Sequence, residues 1–407
     1  DMGGTTAKIC LIEDGAPLKA RTFEVDRSSR FMKGSGLPLR IPVIEMIEIG
    51  AGGGSIARVD AMRRIHVGPE SAGSEPGPAC YGRGGVKPTV TDADLVQGRI
   101  DPEGFAGGSM TLEASAAAAA LAAHVGEALS ADVATAAWGI TEIVDEAMAN
   151  AARVHAVERG ADIAARTLVA FGGAAPLHAC RLAEKLGLSR IIVPADAGVG
   201  SAIGFLDAPA AFEVVRSRHM RLDRFDAAAA AALLTDLARD AEGLARTAAG
   251  TAALSTTRTV FMRYIGQGHE IAVPLDGIGV GAPMPDPLRA RFEADYDRLF
   301  SRHIPGAAIE IMSWSVACGT RPPPPQRLQP SAARPAPPPH AARAVLDATT
   351  RRPADLPVYE RSTLAPGMSF AGPCLVVEAG TTTVVTPRFD VAVDAGCALV
   401  LTRRATL

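Results

Sequence analysis

The apolar positions of the chain change their period several times, and each change marks an expected element. Ala7 to Glu13 is mostly apolar and stops at Asp14-Gly15, a hairpin signal. Val43 to Gly50 repeats that pattern and runs into Gly50-Ala51-Gly52-Gly53-Gly54-Ser55. Residues 66–110 are so rich in Gly and Pro that they read as one long shaped loop region, a length associated with function or disorder. From Ser130 onward, Val133, Ala137, Ile140, Val144, Ala147, Ala151 and Val154 recur at alternating spacings of four and three, one face of a helix that should end near Gly160.

Thr167 to Phe171 is a short apolar run, followed by Gly172-Gly173, a helical stretch from Ala175 to Leu186 and a second short strand from Arg190 to Pro194. Strand, glycine turn, helix and strand make a βαβ unit, and a ligand would sit beyond the carboxyl end of the first strand, at the glycine turn. After Phe212 the character shifts. Asp223 or Asp226 can cap an alanine-rich helix from Ala227 to about Ala248. Phe261 to Leu275 reads as a β segment interrupted at Gly266-Gln267-Gly268, and Arg289 to Phe300 as an amphipathic helix. Residues 321–340 hold nine of the 30 prolines and are expected as an extended linker or surface strap, whereas Gly372 to Leu401 alternates β-branched residues with Gly and Asp turns. The expected organisation is 1–211, then an α+β domain over 212–320, a linker over 321–340 and a small β module over 341–407.

Composition narrows the function. With 407 residues, 48% apolar and 21% charged, the chain is ordinary globular material of two or three domains. A net charge of −3 with no long basic run removes the usual electrostatic reason to expect nucleic acid. No apolar stretch approaches the ~20 residues of a membrane span. Six scattered cysteines with no CxxC pair suit a reducing cytoplasm, and Cys80, in a Gly/Pro-rich run, has no base beside it in sequence to make it a nucleophile.

Candidate chemistry sits mainly in glycine-rich turns. In Asp1-Met2-Gly3-Gly4-Thr5-Thr6 the glycines let backbone N–H groups approach phosphate oxygens, the threonines add donors, and the aspartate can hold a hydrated Mg²⁺ or orient water; the alternative is a plain glycine turn. Phe171-Gly172-Gly173-Ala174 offers either a ligand platform or close packing of a helix on a sheet. Gly53, Gly54 and Ser55 form either an anion nest or a hairpin. His178, one turn into the following helix, either touches a ligand or packs. Glu45 with Glu48, and Asp92 with Asp94, are paired acids suited to metal binding or general-base work, with a helix N-cap as the competing role for Asp92.

Seven stretches then carry a resemblance: DMGGTTAKICLI from Asp1, EIGAGGGSIARVD from Glu48, VGPESAGSEPGPACYGRGG from Val67, PTVTDADL from Pro88, FGGAAPLHACRLAEKLG from Phe171, AGVGSAIGF from Ala197 and RYIGQGHEI from Arg263. In this order they resemble the hydantoinase A/5-oxoprolinase family of ATP-dependent enzymes, and GPCLVVEAGTTTVV from Gly372 resembles its closing β module. The resemblance implies an α/β, actin/hexokinase-like ATPase lobe, incomplete at its N-terminus, followed by an α+β domain. It implies ATP and Mg²⁺ as cofactors, with Gly3, Gly4, Thr5 and Thr6 on phosphate, Asp1 on metal or water, Gly172, Gly173 and Ala174 on adenosine, and Asp92 as a second catalytic acid. Gly53, Gly54, Ser55 and His178 fall to the substrate side.

The expected reaction is ring opening of a cyclic amide such as 5-oxoproline or a hydantoin, in the cytoplasm, within an oligomer that includes a hydantoinase B-type subunit. A ketone carboxylase subunit and a non-catalytic nucleotide-binding scaffold are the alternatives. The first phosphate loop of such a fold has no counterpart here, so the chain is expected to be a C-terminal fragment, inactive by itself. Ala175 and Lys8 depart from the family's commoner Gly and Asp; the first adds one methyl, the second changes a charge near the phosphates.

Overall fold

The computed structural model describes residues 1–20, 23–25, 35–39, 41, 43–279, 284–321 and 328–405. The chain divides into two compact units, one made of residues 1–204 with 327–407, the other of 205–326.

The first unit begins with β1 (Ala7–Cys10) paired antiparallel with β2 (Met46–Ile49). The expected hairpin is present: Ile12–Glu13 pairs with Ala16–Pro17, and Asp14 and Gly15 both have positive φ, the backbone a two-residue turn demands. The region expected as a single loop, 66–110, holds most of a strand and a helix instead. β3 (Ser55–Val59) and β4 (Ile65–Ser71) form an antiparallel pair, and α1 (Val90–Val96) follows. Thr89 caps α1 and Asp92 is its third residue, so the capping box, and not an aspartate cap, starts this helix. Next come α2 (Ala114–Leu121), whose alanine run suits a helix, and α3 (Val133–Glu158), capped by Asp132. The face read from the spacing buries Ala137, Ile140, Val144 and Ala151 in the main core, the kind of burial worth about 1.5–3 kcal/mol for each large aliphatic side chain.

β5 (Leu168–Val169), α4 (Ala175–Leu186) and β6 (Arg190–Val193) are the expected βαβ unit, with the two strands parallel, and the short α5 (Gly200–Leu206) follows in the chain. The second unit is a four-stranded antiparallel sheet of β7 (Ala211–Arg221), β8 (Leu254–Tyr264), β9 (Ile271–Pro274) and β10 (Ile309–Thr320) in the order β7-β10-β8-β9. Helix α6 (Ala227–Ala249), capped by Asp226, packs on it around Leu234, Leu237 and Trp314; α7 (Pro285–Phe300) adds Leu288 and Phe292.

The C-terminal residues are not the separate module expected over 341–407. β11 (Ala341–Leu346), β12 (Pro353–Glu360), β14 (Cys374–Glu378) and β15 (Thr381–Val385) form one sheet in that order, with β13 (Met368–Ala371) outside it. β16 (Phe389–Val393) and β17 (Leu399–Arg403) join β13 in the other sheet, where β17 pairs directly with β6. The apolar alternation of β16 and β17 fills the same core as α3 and α4, so the last strands complete the first unit. Of the expected linker, residues 322–327 lie outside the described residues, while Arg334–Pro335 pairs with β13.

Candidate functional site

Asp1 to Thr6 folds back on itself before β1. Lys8 N–H donates to the Asp1 carbonyl at 2.7 Å, Gly3 N–H to the Thr6 carbonyl at 3.2 Å, and Met2 bridges to Ala7. The Met2 side chain is buried and anchors the loop, while Gly4 and Thr5 are exposed at its tip. A methyl added at Gly3 or Gly4 would meet nothing within 4 Å, so the outer side of the turn is open space.

The Gly172-Gly173 turn lies directly against this loop. Met2 N–H donates to the Phe171 carbonyl at 3.1 Å and Ala174 N–H to the Met2 carbonyl at 2.9 Å, so Met2 sits across the turn. Gly172 has φ +97°, and a Cβ there would stand 2.5 Å from both Asp1 Oδ1 and the Met2 carbonyl oxygen. Only glycine fits, for two independent reasons. Two further segments close around the pair. Ser201 Oγ donates to Asp1 Oδ2 at 2.9 Å, and Thr381 Oγ1, at the start of β15, donates to the Gly173 carbonyl at 3.0 Å. A Cβ at Gly198 would come within 2.7 Å of Gly380, so these two chains also touch backbone to backbone. Ser201 and Thr381 have no local sequence signature of their own; both lie in stretches that carry the resemblance.

Several expected residues take other positions. Gly53 and Gly54 are buried, and their N–H groups donate to the Gly3 and Gly4 carbonyls at 2.9 and 2.6 Å. Ser55 Oγ accepts from Gly52 N–H at 2.8 Å. This loop therefore braces Asp1–Thr6 from behind, and its committed donors make it a backing layer and not an anion nest. Asp92 is fully buried: Oδ1 accepts from Cys80 N–H at 2.7 Å, and Oδ2 from Ala79 N–H, Thr89 N–H and Thr89 Oγ1 at 2.8–3.1 Å. A carboxylate engaged by four donors holds a helix start in place. Burial, with the Asp92 charge beside it, pushes the Cys80 thiol up, away from thiolate chemistry. Glu45 is taken by Arg159, and Glu48 stands opposite Lys8 in the β1–β2 register.

His178 is also wholly buried and touches no open surface. Its Nδ1 lies 2.9 Å from Asp145 Oδ1 on α3 and its Nε2 3.2 Å from Asp94 Oδ2 on α1. Asp94 Oδ1 also meets Arg99 at 3.0 Å. Burial would lower the imidazole pKa, but the charges of Asp94 and Asp145 outweigh it and hold it up, to about 10. His178 is thus an imidazolium clamped between two carboxylates, tying three helices together.

Among the described residues no cluster of three His, Cys, Asp or Glu side chains could enclose a metal ion. A lone carboxylate, Asp1, beside an open glycine turn fits Mg²⁺, which keeps most of its waters and takes phosphate oxygens.

Two family models cover the chain: hydantoinase/oxoprolinase over residues 1–214 and the hydantoinase/oxoprolinase C-terminal domain over 235–403. The chain belongs to the hydantoinase/oxoprolinase family. It is 33% identical over 415 residues to the caprolactamase subunit alpha of Pseudomonas jessenii, covering 99% of this chain and 57% of the relative. The crystal structure of the ATP-dependent caprolactamase from that organism matches with a TM-score of 0.76 at 32% identity, over 99% of this chain and 58% of that one. The nucleotide-free structure of acetone carboxylase, from work on ATP-dependent acetone carboxylation, matches with a TM-score of 0.81 at 25% identity, again over 99% of this chain and 58% of that one. Relatives named 5-oxoprolinase also match. The chain spans little more than half the length of the caprolactamase subunit and of these solved chains. Among the described residues no helix is long and apolar enough to cross a membrane.

Proposed function

We propose that the whole protein carrying this chain couples ATP hydrolysis to the ring opening of a cyclic amide, with this chain forming one wall of an actin/hexokinase-like nucleotide cleft. The observation that carries this reading is the convergence on Asp1 of an open glycine-threonine loop and the Gly172–Ala174 turn, with Ser201 and Thr381 pinning both. Gly4 N–H and the Thr5 hydroxyl, exposed at the tip, bind phosphate oxygens; Gly172, filled on its own side by Asp1 and Met2, shapes the turn, and exposed Gly173 offers the adenosine bare backbone. Asp1, oriented by Ser201, would hold a hydrated Mg²⁺, which would supply positive charge beside the phosphates. Gly52–Ser55 keep the loop rigid, so its donors are pre-organised. Asp92 is a positioning residue in this scheme, not an acid or base.

ATP supplies the phosphoryl group that converts the lactam oxygen into a leaving group. Water then adds to the carbonyl carbon, the ring C–N bond breaks with its nitrogen leaving as the amine, and a second water releases phosphate from the acid. One ATP, one lactam and two waters give ADP, phosphate and an amino acid. The 33% identity to a caprolactamase subunit favours a lactam over a ketone, and that relative's standing as a subunit supports a B-type partner. A cytoplasmic location belongs to this reading, because the reaction draws on ATP.

Whole protein, with its partner subunit, is assayed for ADP release and amino acid formation with caprolactam, 5-oxoproline and hydantoin. The expected result is ADP formed in step with one of the ring-opened products. Ring opening undiminished without ATP, or ADP formation only with acetone and bicarbonate, overturns it; the latter gives ketone carboxylation, which the match to acetone carboxylase also accommodates.

A further inference from the structure

Asp1 to Lys8 is a small antiparallel hairpin, and its pairing decides which side chains share a face. Lys8 N–H donates to the Asp1 carbonyl at 2.7 Å and the Asp1 nitrogen to the Lys8 carbonyl at 3.0 Å. Met2 bridges to Ala7, and Gly3 N–H donates to the Thr6 carbonyl at 3.2 Å across the turn Gly4-Thr5. Residues paired in this way point to the same side of the ribbon, and neighbours along each strand alternate. Met2 and Ala7 take one side and are buried in the main core. Asp1, Gly3, Thr6 and Lys8 take the other, where a methyl added at Gly3 would meet nothing within 4 Å. The hairpin therefore sets a lysine on the same open face as the Asp1 carboxylate.

The charged side chains of this face are unequally engaged. Asp1 is drawn to Ser201, its Oδ2 accepting from Oγ at 2.9 Å. Glu48 lies across from Lys8 in the β1–β2 register, and a cross-strand ion pair would be the ordinary structural role for both. Both residues are exposed, however, and Lys8 Nζ makes no ion pair or hydrogen bond among the described residues. Its charge is available to a ligand.

Reach and electrostatics both suit phosphate. Lys8 and Thr6 are two residues apart on one face, about 6–7 Å along the strand. A flexible four-carbon stem ending in a compact ammonium closes that gap. The Gly4-Thr5 tip offers only neutral donors, whereas an ionised donor makes a hydrogen bond roughly twice as strong. A polyphosphate brought to this face also meets the negative charges of Asp1 and Glu48, and Lys8, in the same row, offsets them.

We propose that Lys8 is a phosphate-binding residue of this loop: its ammonium pairs with the β- and γ-phosphates of a nucleoside triphosphate, so that the chain itself supplies fixed positive charge there. The assignment rests on the reading of Asp1–Thr6 as a phosphate loop.

Whole protein is titrated with fluorescent ATP and AMP analogues in the presence of Mg²⁺, as wild type, Lys8→Met and Lys8→Arg. Lys8→Met should weaken ATP binding at least tenfold and change AMP binding less than twofold, since AMP lacks the phosphates that Lys8 meets. Lys8→Arg keeps the charge and should hold ATP within threefold of wild type. ATP affinity unchanged in Lys8→Met overturns the assignment and leaves Lys8 as a solvated neighbour of Glu48. ATP and AMP weakened alike also overturn it, because Lys8 then acts through the shape of the loop. ATP bound as poorly by Lys8→Arg as by Lys8→Met overturns it too, the charge then not being what binds. Wild type that binds neither analogue overturns the phosphate-loop reading itself, and this assignment with it.

Discussion

Gly172 and Gly3 are both glycines of the same site, yet they should fail differently. Gly172→Ala puts a methyl 2.5 Å from Asp1 Oδ1 and from the Met2 carbonyl, in a backbone region that disfavours any L side chain. The expected result is a fall in Tm together with at least a tenfold loss of ATP affinity. Gly3→Ala meets open space, so its Tm should stay close to wild type while ATP affinity drops, because the methyl occupies the face offered to phosphate. Thermal melts and nucleotide titrations on the two variants separate a structural glycine from a binding one.

His178 makes a pH prediction whose sign follows from its two carboxylates. Its folded pKa, about 10, lies above the unfolded value of about 6.5. The stabilisation is therefore complete below about pH 6.5 and is lost as pH rises towards 10. Urea unfolding of wild type should show stability declining across that window, whereas His178→Gln should be less stable at pH 7 and lack that component of the decline. A variant with the same slope as wild type would show that His178 is neutral when folded.

Among the elements, α1 depends on one side chain. Asp92→Ala leaves two loop N–H groups and the Thr89 N–H and hydroxyl without their buried acceptor, a loss of about 3 kcal/mol or more. Asp92→Asn retains one carbonyl acceptor and should fall between the two in denaturant midpoint. Because Gly53 and Thr91 are bonded backbone to backbone, loosening the start of α1 should also raise hydrogen exchange at Gly53 and Gly54, behind the phosphate loop. Elements with a clean period were legible from sequence: α3 by its alternating spacing, the β5–α4–β6 unit by its glycine turn, α6 by Asp226. The β4 strand and α1 were not, because Gly and Pro dominate residues 66–110, β4 is ordered by its pairing with β3, and the Asp92 carboxylate at the start of α1 is held by the Ala79 and Cys80 N–H groups, 13 and 12 residues back.

At the scale of the whole molecule, the two units differ in how they are closed by the chain. Residues 205–326 carry their own sheet and their own core around Trp314 and Phe292, so this segment expressed alone should unfold cooperatively by circular dichroism. Removing 328–407 should do the opposite to the first unit. It strips β17 from β6, deletes β16 behind it, and removes Phe389, Val391 and Leu401 from the core shared with α3. Loss of the cooperative melt and rapid proteolysis between residues 90 and 200 are expected; a truncated first unit that melts like the intact one would show that the last strands are an appendage.

By itself the sequence determined the loops and their chemistry: glycines where the backbone must turn tightly, an aspartate and threonines beside them, and motifs in an order specific enough to place the family. These are local properties, set by φ and by the reach of a few adjacent side chains. What only the tertiary structure decided is who faces the ligand and who faces the core. Gly53, Asp92 and His178 have the residue types of an active site, yet each is buried with its polar groups engaged, because partners far along the chain, Gly3, Cys80 and Asp145, take up their donors and acceptors. Ser201 and Thr381, unremarkable in sequence, reach the site because long-range strand pairing and packing bring them to Asp1 and to Gly173, 200 and 208 positions away.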